Sequence, residues 1–235
     1  MGPMPARYAV YYAPEPNSDL AAFGERWTGL DANGAPIPPL EVPGLSAQRF
    51  AELTVGPRRY GFHGTLKPPF DLNPAMTQES LLAAARIFAR SLAPIEMPPL
   101  EIAIIGKFIA LTPTTSSAAL EKLAAQCVRV FECYRSPLSD EQTVTYRNNK
   151  LTVHQDSMLI HWGYPYVMEE FRFHISLTER IDDIAERRAV LQSVTELAKP
   201  LAGKAITVRE ISVFYQPKRD EPMTIIERIP FGRTK

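Results

Sequence analysis

The chain has 235 residues, and its 26 Lys and Arg residues balance 26 Asp and Glu residues, so the formal net charge at pH 7 is zero. A hydrophobic fraction of 45% at this length can bury a core, which excludes a disordered or fibrous protein. Zero net charge provides no global field for a long polyanion. Composition therefore counts against a DNA-binding or anionic-membrane protein and leaves room for a small anionic substrate.

No apolar run approaches the roughly 20 residues that cross a bilayer, and residues 1–16 contain neither a basic segment nor a long apolar one. We therefore expect a cytoplasmic protein without a membrane partner. The two cysteines, Cys127 and Cys133, lie in a segment with helical periodicity and point to different faces, which favours two buried free thiols over a disulfide. No Cys or His cluster has metal-ligand spacing, so we expect no metal and no other cofactor.

Hydrophobic periodicity predicts alternating strands and helices along the chain. In chain order these are a strand at 8–12, helices near 19–28 and 46–53, a strand at 60–67, a helix at 77–91, strands at 100–105 and 107–111, a helix at 117–134, a strand at 171–178, a helix at 182–197, and strands at 206–215 and 223–229. The proline clusters are short and mark no interdomain linker, so residues 1–235 are predicted to form one domain. Each half contains a strand, a helix and then two strands, which indicates a diverged internal duplication.

The two leading strands of these halves share one sequence pattern, F-H-x-[ST]-L. It is Phe62-His63-Gly64-Thr65-Leu66 in the first half and Phe173-His174-Ile175-Ser176-Leu177 in the second. Because side chains alternate along a strand, one face of each strand is predicted to be apolar and the other polar. The polar face of the first strand carries His63, Thr65 and Lys67, with Arg59 and Gly61 in the same phase; that of the second carries Arg172, His174, Ser176 and Thr178.

This pairing of imidazole and hydroxyl groups suits phosphodiester chemistry without a metal. One neutral histidine removes a proton from the attacking water or hydroxyl, and the other, as imidazolium, protonates the leaving oxygen. The hydroxyls of Thr65 and Ser176 hold the nonbridging phosphate oxygens. His63 and His174 are thus the predicted catalytic residues, and which of them is the acid and which the base stays open.

With both H-x-[ST]-x motifs present, the chain resembles the 2H phosphoesterase superfamily. Residues 57–70 and 7–12 resemble in particular the branch found alongside bacterial phosphonate-degradation (carbon-phosphorus lyase) genes. The resemblance implies an α+β fold, with two pseudo-symmetric lobes of antiparallel sheet plus helices around a central cleft. It also implies hydrolysis of cyclic phosphates, or RNA 2′-5′ phosphodiester ligation or cleavage. The second motif carries Ser in place of Thr, which keeps the hydroxyl.

Further side chains in these segments are candidates for substrate binding. Lys67, Arg172 and Arg59 could attract phosphate, as could Arg58, although a charge at a strand end is usually only solvated. Tyr11, Trp162 or Tyr164 could stack on a ribose or nucleobase, although such aromatics more often anchor a core or loop. His154 and His161 have no hydroxyl two residues later, and for both we favour a structural role.

The leading prediction is a hydrolase acting on a small cyclic phosphodiester, a ribose or nucleotide cyclic phosphate, with a link to phosphonate breakdown. Neutral charge favours a small phosphorylated substrate over long RNA and gives no reason to expect DNA. Two alternatives stay open. One is a catalytically silent nucleotide-binding module, and the other is an enzyme that processes RNA ends or resembles a 2′-5′ RNA ligase.

Overall fold

The computed structural model describes residues 6–31 and 34–232; part of the N-terminal segment considered above, residues 1–5, lies outside the described residues. The described residues form nine strands and eight α-helices. The strands are β1 (Arg7–Tyr12), β2 (Gly64–Asp71), β3 (Ile95–Met97), β4 (Leu100–Ile105), β5 (Phe108–Pro113), β6 (Ile175–Ser176), β7 (Ile206–Val208), β8 (Glu210–Gln216) and β9 (Thr224–Pro230). The helices are α1 (Asp19–Thr28), α2 (Ala47–Leu53), α3 (Val55–Tyr60), α4 (Gln78–Arg90), α5 (Ala118–Val130), α6 (Asp140–Arg147), α7 (Val153–Trp162) and α8 (Ile184–Ala198).

Seven strands form one antiparallel sheet in the order β4-β5-β6-β2-β1-β8-β9, and β3 pairs with β7 in a separate ribbon. The predicted α+β class with an antiparallel sheet is confirmed, with strands of both halves joined in a single sheet. The halves run β1-α1-α2-α3-β2-α4-β3-β4 and β5-α5-α6-α7-β6-α8-β7-β8. In the sheet, β2 and β6 are the central pair; β1 and β5 lie next to them on either side, and β8 and β4 lie next to those. The two halves therefore share one order of elements about the centre of the sheet, and each begins one strand earlier than the sequence pattern indicated.

Helices cover one face of the sheet and bury the main core against it. α5 packs on β2, α8 packs on β4 and β5, and α4 packs on β8 and β9. The apolar side chains of the two motifs enter this core, because Leu66, Phe173, Ile175 and Leu177 are all buried there. The opposite face of β1 and β8 carries a smaller cluster built around Tyr11 and Phe214. None of the described helices is both long and apolar enough to cross a membrane.

Several predicted boundaries are wrong for identifiable reasons. The strand predicted at 60–67 begins only at Gly64, because residues up to Tyr60 close the short helix α3 and Gly61 follows with a φ of 78°. The strand predicted at 171–178 pairs only over Ile175–Ser176. The strand predicted at 206–215 divides between β7 and β8, which join different sheets.

The helix predicted at 117–134 ends at Val130, and a 3-10 turn follows it over Glu132–Tyr134. Cys127 is buried in α5 and Cys133 is exposed in this turn, and both are free thiols. The prediction of two buried thiols is therefore correct for Cys127 and wrong for Cys133.

Gly64 lies where the two halves touch, and a Cβ built there would meet Cζ of the Phe173 ring at 2.4 Å. We expect Gly64→Ala to lower the free energy of unfolding by about 1–3 kcal/mol, because the ring must leave its packed position. Chemical denaturation of the single variants and of Gly64→Ala/Phe173→Leu measures the coupling. The smaller leucine should relieve the clash, so the double variant should lose less stability than the two single losses added together. Additive losses would contradict the contact.

Candidate active site

The two motifs meet at the centre of the sheet, where Gly64 of β2 is the register partner of Ile175 of β6. In an antiparallel pair, the residue before one partner faces the residue after the other. His63 is therefore placed opposite Ser176, and Thr65 opposite His174. These four side chains share one face because Gly64 and Ile175, which alternate with them, are buried toward the helices. The strand pairing thus gathers four of the predicted site residues, all of them partly exposed.

Both imidazoles are held in the same way. Nδ1 of His63 lies 2.8 Å from the carbonyl oxygen of Gly61, and Nδ1 of His174 lies 2.7 Å from that of Arg172. A carbonyl only accepts, so each Nδ1 carries the proton and donates it, which leaves Nε2 of the neutral ring with a free lone pair. Nε2 of His63 lies 3.2 Å from Oγ1 of Thr65 and accepts from it in this tautomer. Each histidine therefore presents a proton-accepting nitrogen.

Aromatic rings fix the positions of both imidazoles. The ring of Tyr11 stacks on that of His63 with 3.6 Å between centroids and 17° between planes. Phe108 lies 5.5 Å from the His174 ring. Phe108 also lines, with His63 and Ser176, a cleft of about 220 Å³. The remaining lining residues are Gly56, Pro57, Tyr60, Gly61, Thr178, Glu179 and Arg180.

This environment favours neutral histidines. Burial and a smaller repulsion from a protonated His174, opposed by the raising effect of the hydrogen bond to Gly61, together lower the pKa of His63 to about 4. Burial also lowers the pKa of His174 below its ordinary 6.5, opposed by the bond to Arg172. At neutral pH the neutral form of both rings is therefore favoured.

Lys67 does not face the cleft, and the prediction that it shares a face with His63 is wrong. The register with β1 shifts between Thr65, which pairs with Tyr11, and Lys67, which pairs with Val10. Such a bulge turns Lys67 toward the helices. There its Nζ, in a side chain that is 2% exposed, bonds Oε2 of Glu132 at 3.0 Å and the carbonyl of Val128 at 3.2 Å.

The other predicted binding residues are also placed differently from the sequence pattern. Arg59 is exposed at the end of α3 and shares no strand phase with His63. Arg58 lies 5.9 Å over the Phe50 ring, which belongs to the helix-side core. Arg172 is exposed, and its guanidinium bonds the carbonyls of Glu169 and Phe171.

Tyr11 is only 1% exposed, so the ring predicted to stack on a substrate stacks on His63. It positions the imidazole and leaves no open face for a sugar. The predicted aromatics near the second motif lie in or beside α7. Trp162 is partly buried at the end of that helix, and Tyr164 packs edge-to-face on Tyr146 at 5.7 Å.

Sequence reasoning missed helices α6 and α7 as elements, although it singled out three side chains of α7. A signal for both was available, because each begins with a capping box: Ser139 with Gln142 in α6, and Thr152 with Gln155 in α7. Within the ranges the structure describes, no group of three or more His, Cys, Asp or Glu side chains is arranged to hold a metal ion.

Residues 65–224 match the model of a family described as "Protein of unknown function (DUF1045)". The chain belongs to this family. The DUF1045 protein is 31% identical over 232 residues to a protein of Janthinobacterium sp. (strain Marseille) named ribose 1,5-bisphosphate phosphokinase PhnN. The match covers 96% of this chain and 51% of that protein, and the chain spans about half the length of the curated relatives it matches.

Solved structures also align with the DUF1045 protein over nearly its whole length. TT0787 of Thermus thermophilus has a TM-score of 0.49 at 15% identity and covers 96% of this chain and 98% of its own. E. coli LigT, complexed with 3′-AMP, has a TM-score of 0.46 at 12% identity and covers 98% of this chain and 100% of its own. With its two motifs on neighbouring strands, the DUF1045 protein resembles the 2H phosphoesterases.

The histidine environment predicts an NMR titration. We expect the carbon-bound imidazole protons of His63 to titrate with a midpoint near pH 4, because burial disfavours the charged ring. In His174→Gln the midpoint should rise, because the repelling imidazolium is gone. The spectrum of His63→Gln identifies the signal by its loss. A midpoint at or above 6.5 in the wild type would contradict the buried, coupled arrangement.

Proposed function

We propose that this protein hydrolyses a small cyclic phosphodiester of a ribose, with His63 and His174 as the proton-transfer pair. The observation that carries the proposal is the strand register around Gly64 and Ile175, which sets each histidine opposite the hydroxyl residue of the other motif. A phosphate between the strands would meet two imidazoles and two hydroxyls from opposite sides. That symmetry suits a reaction in which one oxygen attacks phosphorus while another leaves.

The different environments of the two rings support an assignment of roles. The larger downward shift in pKa falls on His63, which favours its neutral form and suits a general base. His63 would take a proton from water as the water oxygen bonds to phosphorus. His174, protonated in the complex, would give a proton to the ribose oxygen as its bond to phosphorus breaks. The product is a phosphomonoester beside a free hydroxyl.

Thr65 and Ser176 would hold the nonbridging oxygens. Thr65 already reaches Nε2 of His63 at 3.2 Å, and Ser176 lines the cleft with that histidine. Hydroxyls placed before the reaction stabilise charge as it redistributes over the phosphate oxygens. Tyr11 and Phe108 would keep the imidazoles aligned through the proton transfers.

The curated relatives support ribose as the sugar, because their name gives ribose 1,5-bisphosphate as the compound they phosphorylate. Their PhnN name also supports the link to phosphonate breakdown that the resemblance implied. Kinase activity is not part of the proposal. The sequence contains no G-x-x-x-x-G-K-[ST] loop to cradle a nucleoside triphosphate.

Removal of either histidine should slow hydrolysis of a cyclic ribose phosphate by about 10²- to 10⁴-fold, because each supplies a separate proton transfer. The measurement compares wild type, His63→Ala and His174→Ala on a panel of cyclic phosphates with EDTA present. His161→Ala is the matched control, since that imidazole is exposed on α7 and its Nδ1 contacts Ser157 of the same helix. Activity that survives both motif substitutions, or that disappears with EDTA alone, rules out the mechanism.

The pH dependence of the two kinetic constants should differ. Both histidines of the free enzyme have lowered pKa values, so the form with one protonated ring is most abundant below pH 6.5. The profile of kcat/KM should therefore be bell-shaped with an acidic optimum. A bound anion raises an imidazole pKa, so the alkaline limb of kcat should lie at higher pH than that of kcat/KM. Flat profiles from pH 5 to 9 would contradict the acid-base pair.

A further inference from the structure

A polar row crosses the sheet beyond Tyr11, on the face that carries the histidines. Arg7 of β1 is the register partner of Asp71 on one side and of Gln216 on the other. Arg7 lies two and four residues before Ala9 and Tyr11, so it shares their face of the strand, and both belong to the cluster on that open face. The row therefore lies on the active-site side of the sheet, opposite the main core.

Arg7 is held in place without a carboxylate partner of its own. Its Nε donates to Oε1 of Gln216 at 2.7 Å, and its guanidinium lies 5.7 Å from the centroid of the Tyr60 ring. Among the ion pairs of residues 6–31 and 34–232, none includes Arg7. Tyr60 also lines the His63 cleft, so this ring connects the guanidinium to the catalytic pocket.

A second guanidinium lies beside the first. Arg219 forms an ion pair with Asp71, and their side chains are only 20% and 14% exposed. Gln142 of α6 donates to the other oxygen of Asp71 at 3.2 Å. Burial and then repulsion from Arg7 lower the pKa of Arg219, which agrees with the closeness of the two cations. Asp71 thus neutralises Arg219 and forms no ion pair with Arg7, so the row keeps a surplus positive charge.

Tyrosines enclose the same region. Tyr146 of α6 and Tyr164 after α7 pack edge-to-face, and Tyr60 closes the row from α3. Burial raises the pKa of Tyr146 and of Tyr164, so both keep their hydroxyl protons. Arg7 and Arg219 are the nearby cations that act on Tyr146, with Asp71 the nearby anion. Phenol and guanidinium groups together are donors that suit a phosphate.

We propose that Arg7 and Arg219, with the tyrosines around them, form a second anion subsite that binds a phosphate at the far end of the substrate. This inference rests on the proposed function and narrows its substrate to a ribose cyclic phosphate that carries another phosphomonoester. Hydrolysis would then release a ribose with two phosphomonoesters. The surplus guanidinium charge explains how a chain of zero net charge attracts a highly anionic small molecule.

The test compares two cyclic ribose phosphates that differ only at the 5-position, one with a 5-phosphate and one with a 5-hydroxyl. Wild type should favour the 5-phosphate ester in kcat/KM by at least about tenfold, as charged hydrogen bonds of this kind provide. In Arg7→Met and in Arg219→Met that preference should fall about tenfold. Arg129→Met, an exposed site on α5 on the other side of the sheet, is the matched control and should keep it. Equal use of both esters by wild type overturns the subsite.

A binding measurement separates the subsite from the reaction. Calorimetry with ribose 5-phosphate and with ribose needs no cyclic ester and no turnover. Wild type and Arg129→Met should bind ribose 5-phosphate more tightly than ribose, and Arg7→Met should bind it about tenfold more weakly, with a folded state verified by thermal unfolding. If this holds while no cyclic ester is hydrolysed, the subsite stands and the proposed reaction fails. Equal binding of the two sugars by wild type overturns the subsite whatever the hydrolysis assay shows.

Discussion

The pairing of β2 with β6 is the constraint on which the site depends, because it joins two segments far apart in sequence through one register. A slip of one residue would turn the side chains of one motif to the other face of the sheet. Packing specifies the register on the buried side. Gly64 has no Cβ and admits the Phe173 ring, and Ile175 is fully buried in the core. Side chains on the buried face of the sheet thus set the positions of the four motif side chains on its open face.

On the helix side of the sheet, each half also forms a hydrogen bond with the other half near a motif. In α1, the indole Nε1 of Trp27 donates to the carbonyl of Leu177, the last residue of the second motif, at 2.8 Å. On the equivalent side, the ammonium of Lys67, just after the first motif, donates to the carbonyl of Val128 in α5. Burial alone would disfavour that charge, so Glu132 is needed to pair with it. Each motif is therefore supported by the helix that follows the first strand of the other repeat.

The centre of the candidate site could be predicted from the sequence. Side-chain alternation and the repeated F-H-x-[ST]-L pattern identify its four residues, His63, Thr65, His174 and Ser176, and their common face. The bulge that turns Lys67 away from the cleft could not be predicted. It depends on the pairing of Lys67 with Val10 of the neighbouring strand β1, which the sequence pattern of β2 does not contain. The polar row of Arg7, Asp71, Gln216 and Arg219 could not be predicted either, because it also depends on contacts between distant segments. Arg7 and Arg219 are separated by most of the chain, and only strand pairing and the turn after β8 bring them to Asp71.

In the proposed mechanism, the low pKa of His63 and the guanidinium charge of Arg7 and Arg219 have complementary roles. Neutral rings in an apolar cleft do not repel each other and hold no counter-ion that a substrate must displace. The positive charge lies away from the two rings, on the guanidiniums of the polar row. An anionic ester drawn in by that charge would then supply the negative potential that raises the pKa of His174 and protonates it. On this reasoning, binding of the substrate produces the protonated His174 that its hydrolysis requires. In the free enzyme at neutral pH, that histidine is mainly neutral.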